Sequence, residues 1–272
     1  MLKADLHVHS TASDGTLTPE AVVRAAHDLG LAAVALTDHD TVDGVEQGEE
    51  AGRRYGVTVI PGVELSTEMA GNEVHVLGYF ISTRAKELRA VLASLRTERL
   101  QRARTMVKRL QDLGLSVSWA AVQAQAGGGA VGRPHVARAL VAAGYVASVG
   151  EAFQRYLERG KPAYIPRAKL TPAQAIALVH QSGGAAVLAH PGLLSSPEAL
   201  PAVLGLNWQG IEVFYPEHNR QVTEALLALA RERGLVATGG SDFHEVKEGR
   251  PGLGACTVPQ AVVMELKRRR RF

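Results

Sequence analysis

Cysteine occurs once, at Cys256, so the chain has no disulfide framework and no thiolate cluster for a structural zinc site. Aromatic residues make up only 5% of the chain. No apolar run approaches the roughly 18 residues a transmembrane helix needs. The opening segment MLKADLHVHS lacks the apolar core of a signal peptide. Charge of one sign is also missing: 30 Lys and Arg stand against 27 Asp and Glu, for a net charge of +3 and a pI of about 9.1. That mild excess suits anionic substrates without demanding nucleic acid. These absences point to a cytoplasmic globular protein, with no membrane and no obligate protein partner.

What is present is a core of Ala, Val and Leu. Hydrophobic residues make up 46% of 272, enough for one α/β barrel or two small domains. Short β-branched runs at 2–8, 33–37, 57–61, 73–80, 185–189, 210–214 and 235–239 read as strands. They alternate with helical stretches at 18–29, 42–55, 171–181, 197–204 and 216–233. The rhythm predicts a mainly parallel sheet with helices outside, and seven strands suit a barrel. Thr18-Pro19-Glu20 and Thr171-Pro172 carry the cap and first-turn proline of helix starts. Between 82 and 166 the strands stop and helices follow one another. That stretch is predicted as an inserted helical subdomain, with 1–81 and 167–272 forming the barrel. Gly127-Gly128-Gly129 reads as a flexible joint, and the tail Lys267–Arg271 as a solvated, frayed charge run.

The chemistry collects at strand ends. Strand one gives His7, His9 and then Asp14; strand two gives Asp38, His39 and Asp40; strand three gives Glu64. Strand four gives His75, near its start; strand five gives His190; strand seven gives Asp242 and His244. In a parallel barrel such ends converge on one face, where the βα loops meet. His75 fits less well, because its strand needs an unusual direction or register. His7 and His9 are two apart and share one face of a strand. Imidazole with carboxylate and no thiolate suits manganese, iron or zinc, and the number of ligands suits two or three ions. Each residue alone has an ordinary use. Asp14 precedes Gly15 as in many turns, Glu64 and Asp242 suit helix caps, and His190 precedes a proline. Independent ordinary uses do not explain the repeated strand-end placement. Asp38 and Asp40 are expected to orient His39. His27 and His180, inside helices, and His218, at a helix start, are assigned structural roles.

At this point the residues resemble a known family. His7-Val-His9-Ser10, Asp14-Gly15, Thr37-Asp38-His39-Asp40, Pro61-Gly62-Val63-Glu64, His75, Ala189-His190-Pro191 and Ser241-Asp242-Phe243-His244 are similar to the ordered motifs of the polymerase and histidinol phosphatase (PHP) family. The resemblance implies a distorted (βα)7 TIM-like barrel with a trinuclear metal centre. One ion would take His7, His9, Glu64 and Asp242. Glu64 would bridge to a second, on His75 and His190, and Asp14, His39 and His244 would hold a third. Some members carry histidine where this chain has Asp14.

The insertion narrows the resemblance. Gly132-Arg133-Pro134-His135-Val136-Ala137-Arg138 and Gly160-Lys161-Pro162-Ala163-Tyr164 look like the branch that hydrolyses nucleoside 3′,5′-bisphosphates and trims short RNA from its 5′ end. Arg133 and His135 would then contact phosphate, Lys161 would be a weaker phosphate contact, and Arg138 would be structural. A planar, permanently charged guanidinium suits that task. The expected reaction is in-line attack on phosphorus by metal-activated water, with manganese the first choice of ion. The rivals are a histidinol-phosphate-type phosphatase, an amidohydrolase-like hydrolase and a non-catalytic PHP scaffold. The basic stretch 96–109, with Arg96, Arg99, Arg102, Arg104, Lys108 and Arg109, reads as a solvated helix face rather than an oligonucleotide track.

Overall fold

Thr18 and Pro19 begin the first helix as the sequence predicts. The Thr18 side chain accepts a hydrogen bond from Ala21 N–H, and Pro19 needs none. Such local signals set most of the early chain of this computed structural model, which describes residues 2–127, 131–166, 170–246 and 251–271. Strand β1 (Lys3–Val8) leads to α1 (Pro19–Asp28), β2 (Ala33–Leu36), α2 (Val45–Tyr55), β3 (Thr58–Met69) and β4 (Asn72–Tyr79). Helices α3 (Lys86–Asp112), α4 (Trp119–Ala126), α5 (Arg133–Ala142) and α6 (Val149–Ala152) follow, closed by a π-helical turn, Phe153–Leu157. The barrel pattern resumes with α7 (Pro172–Gln181), β5 (Ala185–Leu188), α8 (Leu200–Leu204), β6 (Gly210–Phe214), α9 (Arg220–Glu232) and β7 (Val236–Gly239). It ends with β8 (Val258–Pro259) and α10 (Gln260–Arg268).

The strands form one sheet in the order β7-β6-β5-β4-β3-β2-β1-β8. Its two ends nearly meet. Beyond β7, Phe243 bridges to Val8 and accepts the His9 N–H at 2.9 Å, while β8 pairs antiparallel with the start of β1. The result is a nearly closed α/β barrel. It has eight strands rather than seven, because β8 is too short to leave a hydrophobic pattern.

The larger departure is β4. It runs antiparallel to both β3 and β5, whereas the other principal neighbours are parallel. Strand β3 extends to Met69, well past the expected end, and folds back through Ala70 and Gly71. Both have positive φ, 49° and 82°, the left-handed pair of a two-residue hairpin turn. Reversal solves the difficulty with His75. The start of β4 lies level with the far end of β3, and Ser66 pairs with His75.

Strand side chains fill the interior in alternation. Ala4, Leu6, Ala33, Ala35, Leu77 and Val187 form one buried cluster. Val63, Leu65, Val76, Ala186 and Ile211 pack with Ile176 and Val179 of α7 in another. Burying a Val or Leu side chain contributes about 1.5–3 kcal/mol each. The helices between β4 and β5 enclose a core of their own, around Met106, Leu110, Val122, Val136, Leu140 and Leu157.

Two surface expectations need correction. Arg96, Arg104, Lys108 and Arg109 are exposed as expected, but the stretch is not a uniformly free face. Arg99 is buried against Asp40, Arg102 and Arg109 donate to the carbonyls of Ile165 and Tyr164, and Arg104 lies over Trp119. Arg96 pairs with Asp43. The helix clamps the insertion to the barrel and to the segment that returns to it. The tail is also docked: Arg271 N–H donates to Gly184 O at 3.1 Å, and Arg269 holds Glu265 and the Gly234 carbonyl. Part of the expected Gly127–Gly129 joint lies outside the described residues; Gly127 itself caps α4 with φ 55°.

Candidate metal centre

Strand alternation puts Asp5 and His7 on one face of β1, and His9 follows one residue past its end. All three are buried. Backbone packing sets their height. An added Cβ on Gly240 would sit 2.4 Å from both the N and Cβ of His7, so only glycine lets β7 pass this close. Asp5 lies beneath the centre and accepts from Ser241 N–H, Ser241 O–H and Gly254 N–H. Burial pushes its carboxyl up to about 6 despite those bonds.

Glu64 stands at the middle. Its Oε1 is 2.7 Å from His75 Nδ1 and 3.1 Å from His190 Nε2. Its Oε2 is 3.2 Å from His7 Nε2, 3.1 Å from His9 Nε2 and 3.1 Å from His39 Nδ1. One carboxylate thus divides five imidazoles between its two oxygens. Asp242 Oδ1 lies 3.3 Å from His7 Nε2 and 3.1 Å from His9 Nε2. Asp14 Oδ1 lies 3.8 Å from His9 Nδ1 and 3.5 Å from His244 Nε2.

Three groups of these residues bring ligand atoms within 4.8 Å of one another. They are His7, His9, Glu64 and Asp242; His39, Glu64 and His75; and His9, Asp14, His39 and His244. The first group is the set the sequence resemblance implied. The other two differ in detail. His39 lies between two groups, His9 faces two, and His190 joins through Glu64.

These atoms are close but poorly aligned for hydrogen bonding to each other. Among the described residues, eight buried side-chain atoms lack a hydrogen-bond partner: His7 Nε2, His9 Nδ1 and Nε2, Asp14 Oδ1, His39 Nδ1, Glu64 Oε2, His75 Nε2 and Asp242 Oδ1. Unpaired buried polar atoms are costly, and a convergent set calls for a common partner. Divalent cations fit: the donors are all imidazole nitrogen and carboxylate oxygen, and they converge from several strands.

The electrostatics describe the same strain. Burial alone would lower His7, yet the Asp242, Glu212 and Glu64 carboxylates hold it well above its ordinary value. His9 behaves alike, pushed up to about 10 against its burial by Asp242 and Glu64. His75 reaches about 9, with Glu64 outweighing burial. Burial wins at His39, which falls to about 3. Burial would raise Glu64, but His39, His75 and His7 hold it well below the carboxylate range.

Three non-glycine residues in the loops around the centre sit at positive φ: Asp40 at 51°, His190 at 23° and Asp242 at 50°. Left-handed backbone costs about 1–3 kcal/mol and persists where its surroundings enforce it.

The remaining candidates separate. Asp38 does not hold the His39 ring. It accepts from Ser10 N–H and O–H and from Ser13 N–H and O–H, and so gathers the loop after β1. Asp40 accepts from Ser66 N–H and pairs with Arg99. Their contacts run to the loop after β1, to β3 and to α3 of the insertion. Arg133, on the first turn of α5, pairs with Glu73 at 3.3 Å; Glu73 is itself 3.5 Å from His75 Nε2. His135 is buried, and its Nδ1 accepts the Gly132 N–H at 2.9 Å. Arg138 reaches the Asp14 carbonyl at 3.4 Å. Lys161 sits in the turn after the π-helical segment, where its N–H closes onto Glu158, and makes no described side-chain contact with the centre. A cavity of about 240 Å³ opens beside Asp14, Asp242 and His244, walled by Pro134, Arg138 and Phe153 of the insertion and by Tyr215.

His180 and His218 have the structural roles assigned to them. His180 Nε2 meets Gln209, and His218 ties Val213 O to Gly192 N–H. Sequence reasoning missed Glu212 and Tyr215, which touch three of the cluster residues. A usable signal existed for the first. Glu212 is a lone charge in a fully apolar strand, Gly-Ile-Glu-Val-Phe, and a buried charge needs a partner.

Comparison with known proteins agrees with this geometry. The PHP domain family matches residues 5–163. A 5′-3′ exoribonuclease of Escherichia coli is 38% identical, over 89% of this chain and 85% of its own length. A 3′,5′-nucleoside bisphosphate phosphatase of Chromobacterium violaceum is 35% identical, over 93% of this chain and 91% of its own. A crystal structure from Bifidobacterium adolescentis, described as that of a metal-dependent phosphoesterase, superposes with a TM-score of 0.89 at 34% identity, covering 97% of this chain and 94% of that one.

Proposed function

This chain belongs to the PHP domain family, and we propose that it hydrolyses phosphate esters of nucleotides, as a nucleoside 3′,5′-bisphosphate phosphatase, a 5′-3′ exoribonuclease on short RNA, or both. It is a metal-dependent phosphoesterase. The observation that carries this reading is the convergence of eight unpartnered buried donor atoms on one end of the barrel.

His7, His9, Glu64 and Asp242 would hold one divalent ion, Glu64 with His75 and His190 a second, and Asp14, His39 and His244 a third. Manganese is the ion of first choice, with iron and zinc allowed by the donor set. When bound, such ions supply Lewis acidity, a more acidic water and charge to offset the phosphoryl oxygens. Glu64 is suited to bridging because its two oxygens already face different histidines.

The helical segment 82–166 serves in this reading as the substrate-binding subdomain. Arg133 is tethered beside His75 through Glu73, and an incoming phosphate would compete with Glu73 for the guanidinium. His135 acts as a neutral donor. Burial pushes it down to about 4, and its Nδ1 is occupied as an acceptor, so the proton sits on Nε2. Lys161 would add charge at the outer edge. No helix among the described residues is long and apolar enough to cross a membrane.

The test is phosphate or nucleotide release from adenosine 3′,5′-bisphosphate, a short 5′-phosphorylated RNA and histidinol phosphate, each with manganese. Turnover of either nucleotide substrate, abolished in His7→Ala, is expected. Activity confined to histidinol phosphate, or undiminished in His7→Ala, sinks the reading.

A further inference from the structure

Strand β6 contributes no member of the three ligand groups among the described residues. Yet it runs between β5 and β7, and the loops that follow those two strands carry the cluster residues His190 and Asp242, both with positive φ. We infer that β6 and the turn after it form a positioning layer, in which Glu212 fixes His7 and His190 while Tyr215 fixes Asp242. The inference rests on the metal-binding reading above and adds residues that reading does not use.

Glu212 is fully buried. Its Oε1 is 3.1 Å from His7 Nδ1, and its Oε2 accepts the His190 N–H at 2.8 Å. A carboxylate only accepts, so the Nδ1 of His7 must carry the proton. In the neutral ring, the form that can ligate a cation, that leaves Nε2 as the lone-pair nitrogen, the atom that faces Glu64 and Asp242 without a hydrogen bond. Tautomer and ring orientation are therefore decided by a residue 205 positions away. The second bond acts on backbone. His190 sits at φ 23°, and the Glu212 bond to its N–H helps hold that conformation. His218, just beyond β6, supports the same loop by accepting the Gly192 N–H on Nε2.

Tyr215 performs the matching task for β7. Its O–H donates to Asp242 Oδ2 at 3.0 Å. Oδ1 is then the free oxygen, and it is the one that faces His7 and His9. The Tyr215 ring also flanks His190, with centroids 5.3 Å apart. One strand that supplies no ligand thus sets three ligands from three other strands. This explains a glutamate in the middle of an apolar strand.

The probe is Mn2+ itself, titrated into metal-stripped full-length protein against a chromophoric chelator. Wild-type protein that binds no Mn2+ overturns the metal reading, whatever Glu212 does. Given wild-type binding, Glu212→Gln keeps the side-chain shape but turns an amide N–H toward a group that needs an acceptor. It is expected to weaken the tightest Mn2+ site by about 10–100-fold. Tyr215→Phe is expected to weaken it less, by about 5-fold. A folded Glu212→Gln protein with wild-type Mn2+ affinity overturns the inference. Should that variant not fold, NMR of zinc-loaded wild type decides: a protected imidazole proton on His7 Nδ1 supports the positioning role, and a His7 proton on Nε2 overturns it.

Discussion

The Arg99 guanidinium lies 2.5 Å from the Asp40 carboxylate, and both side chains are buried. This pair joins α3 of the insertion to the loop after β2, one residue from His39. The same guanidinium borders Gly132, where an added Cβ would meet it at 3.2 Å. Arg99 therefore links the base of the centre to the start of α5, the helix that carries Arg133 and His135. Arg99→Leu removes this charged hydrogen bond from the buried Asp40 carboxylate and is expected to cost about 1.5–3 kcal/mol. The double variant Arg99→Leu with Asp40→Asn should recover part of that loss. Urea denaturation of the two single variants and the double measures the coupling, and additive losses would show that the pair does not interact.

Gly240→Ala forces a methyl group into His7. Overpacking of this kind typically costs about 1–3 kcal/mol. The displacement falls on a predicted metal ligand, so Mn2+ stoichiometry should drop together with the melting temperature. Gly252→Ala, whose added Cβ meets nothing within 4 Å, is the matched control and should leave both unchanged.

Without cations the centre holds eight unpartnered buried atoms, so binding should stabilise the fold strongly. Saturation at 100 times the dissociation constant contributes about 2.7 kcal/mol for one site. Thermal melts with and without manganese should therefore separate in wild type. Glu64→Gln removes the charge that faces five histidines and should abolish most of the separation. An equal manganese shift in that variant would count against the central role of Glu64.

His135 gives a pH dependence of defined sign. Its folded-state value of about 4 lies below the ordinary 6.5, because burial disfavours the cation. The neutral form favours folding, so this contribution is full above about 6.5 and is lost as pH falls toward 4. Integrated over that window it amounts to roughly 3 kcal/mol. Wild type should lose stability relative to His135→Gln as pH drops from 7 to 4.5, and a constant difference between them would refute the assignment.

Much of the fold was legible because local chemistry dictated it. Thr18 and Thr171 cap helices where expected, and the βα rhythm and its interruption after residue 81 coincide with the helices between β4 and β5. The candidate centre was legible as a repeated pattern of His, Asp and Glu at strand ends. The direction of β4 was not, although Ala70-Gly71 marks its turn, because alternation looks the same in a strand read either way. The contacts of the α3 arginines were illegible for a different reason. Their partners, Asp40, Ile165 and Tyr164, are 55 to 63 residues distant, and charge spacing along one helix cannot reveal them.

The sequence by itself determined the chemical class of this protein. Nitrogen and oxygen donors without thiolate, set at the ends of successive strands, call for hard or borderline divalent cations wherever the strands converge. Tertiary structure decided how those donors are divided and oriented. Reversal of β4 delivers His75 to Glu64, close passage at Gly240 sets the position of His7, and Glu212 chooses which nitrogen of His7 is free. Each is a relation between groups far apart in the chain. Hydrogen-bond direction and excluded volume act only between atoms already in contact, and it is the closed barrel that brings them there.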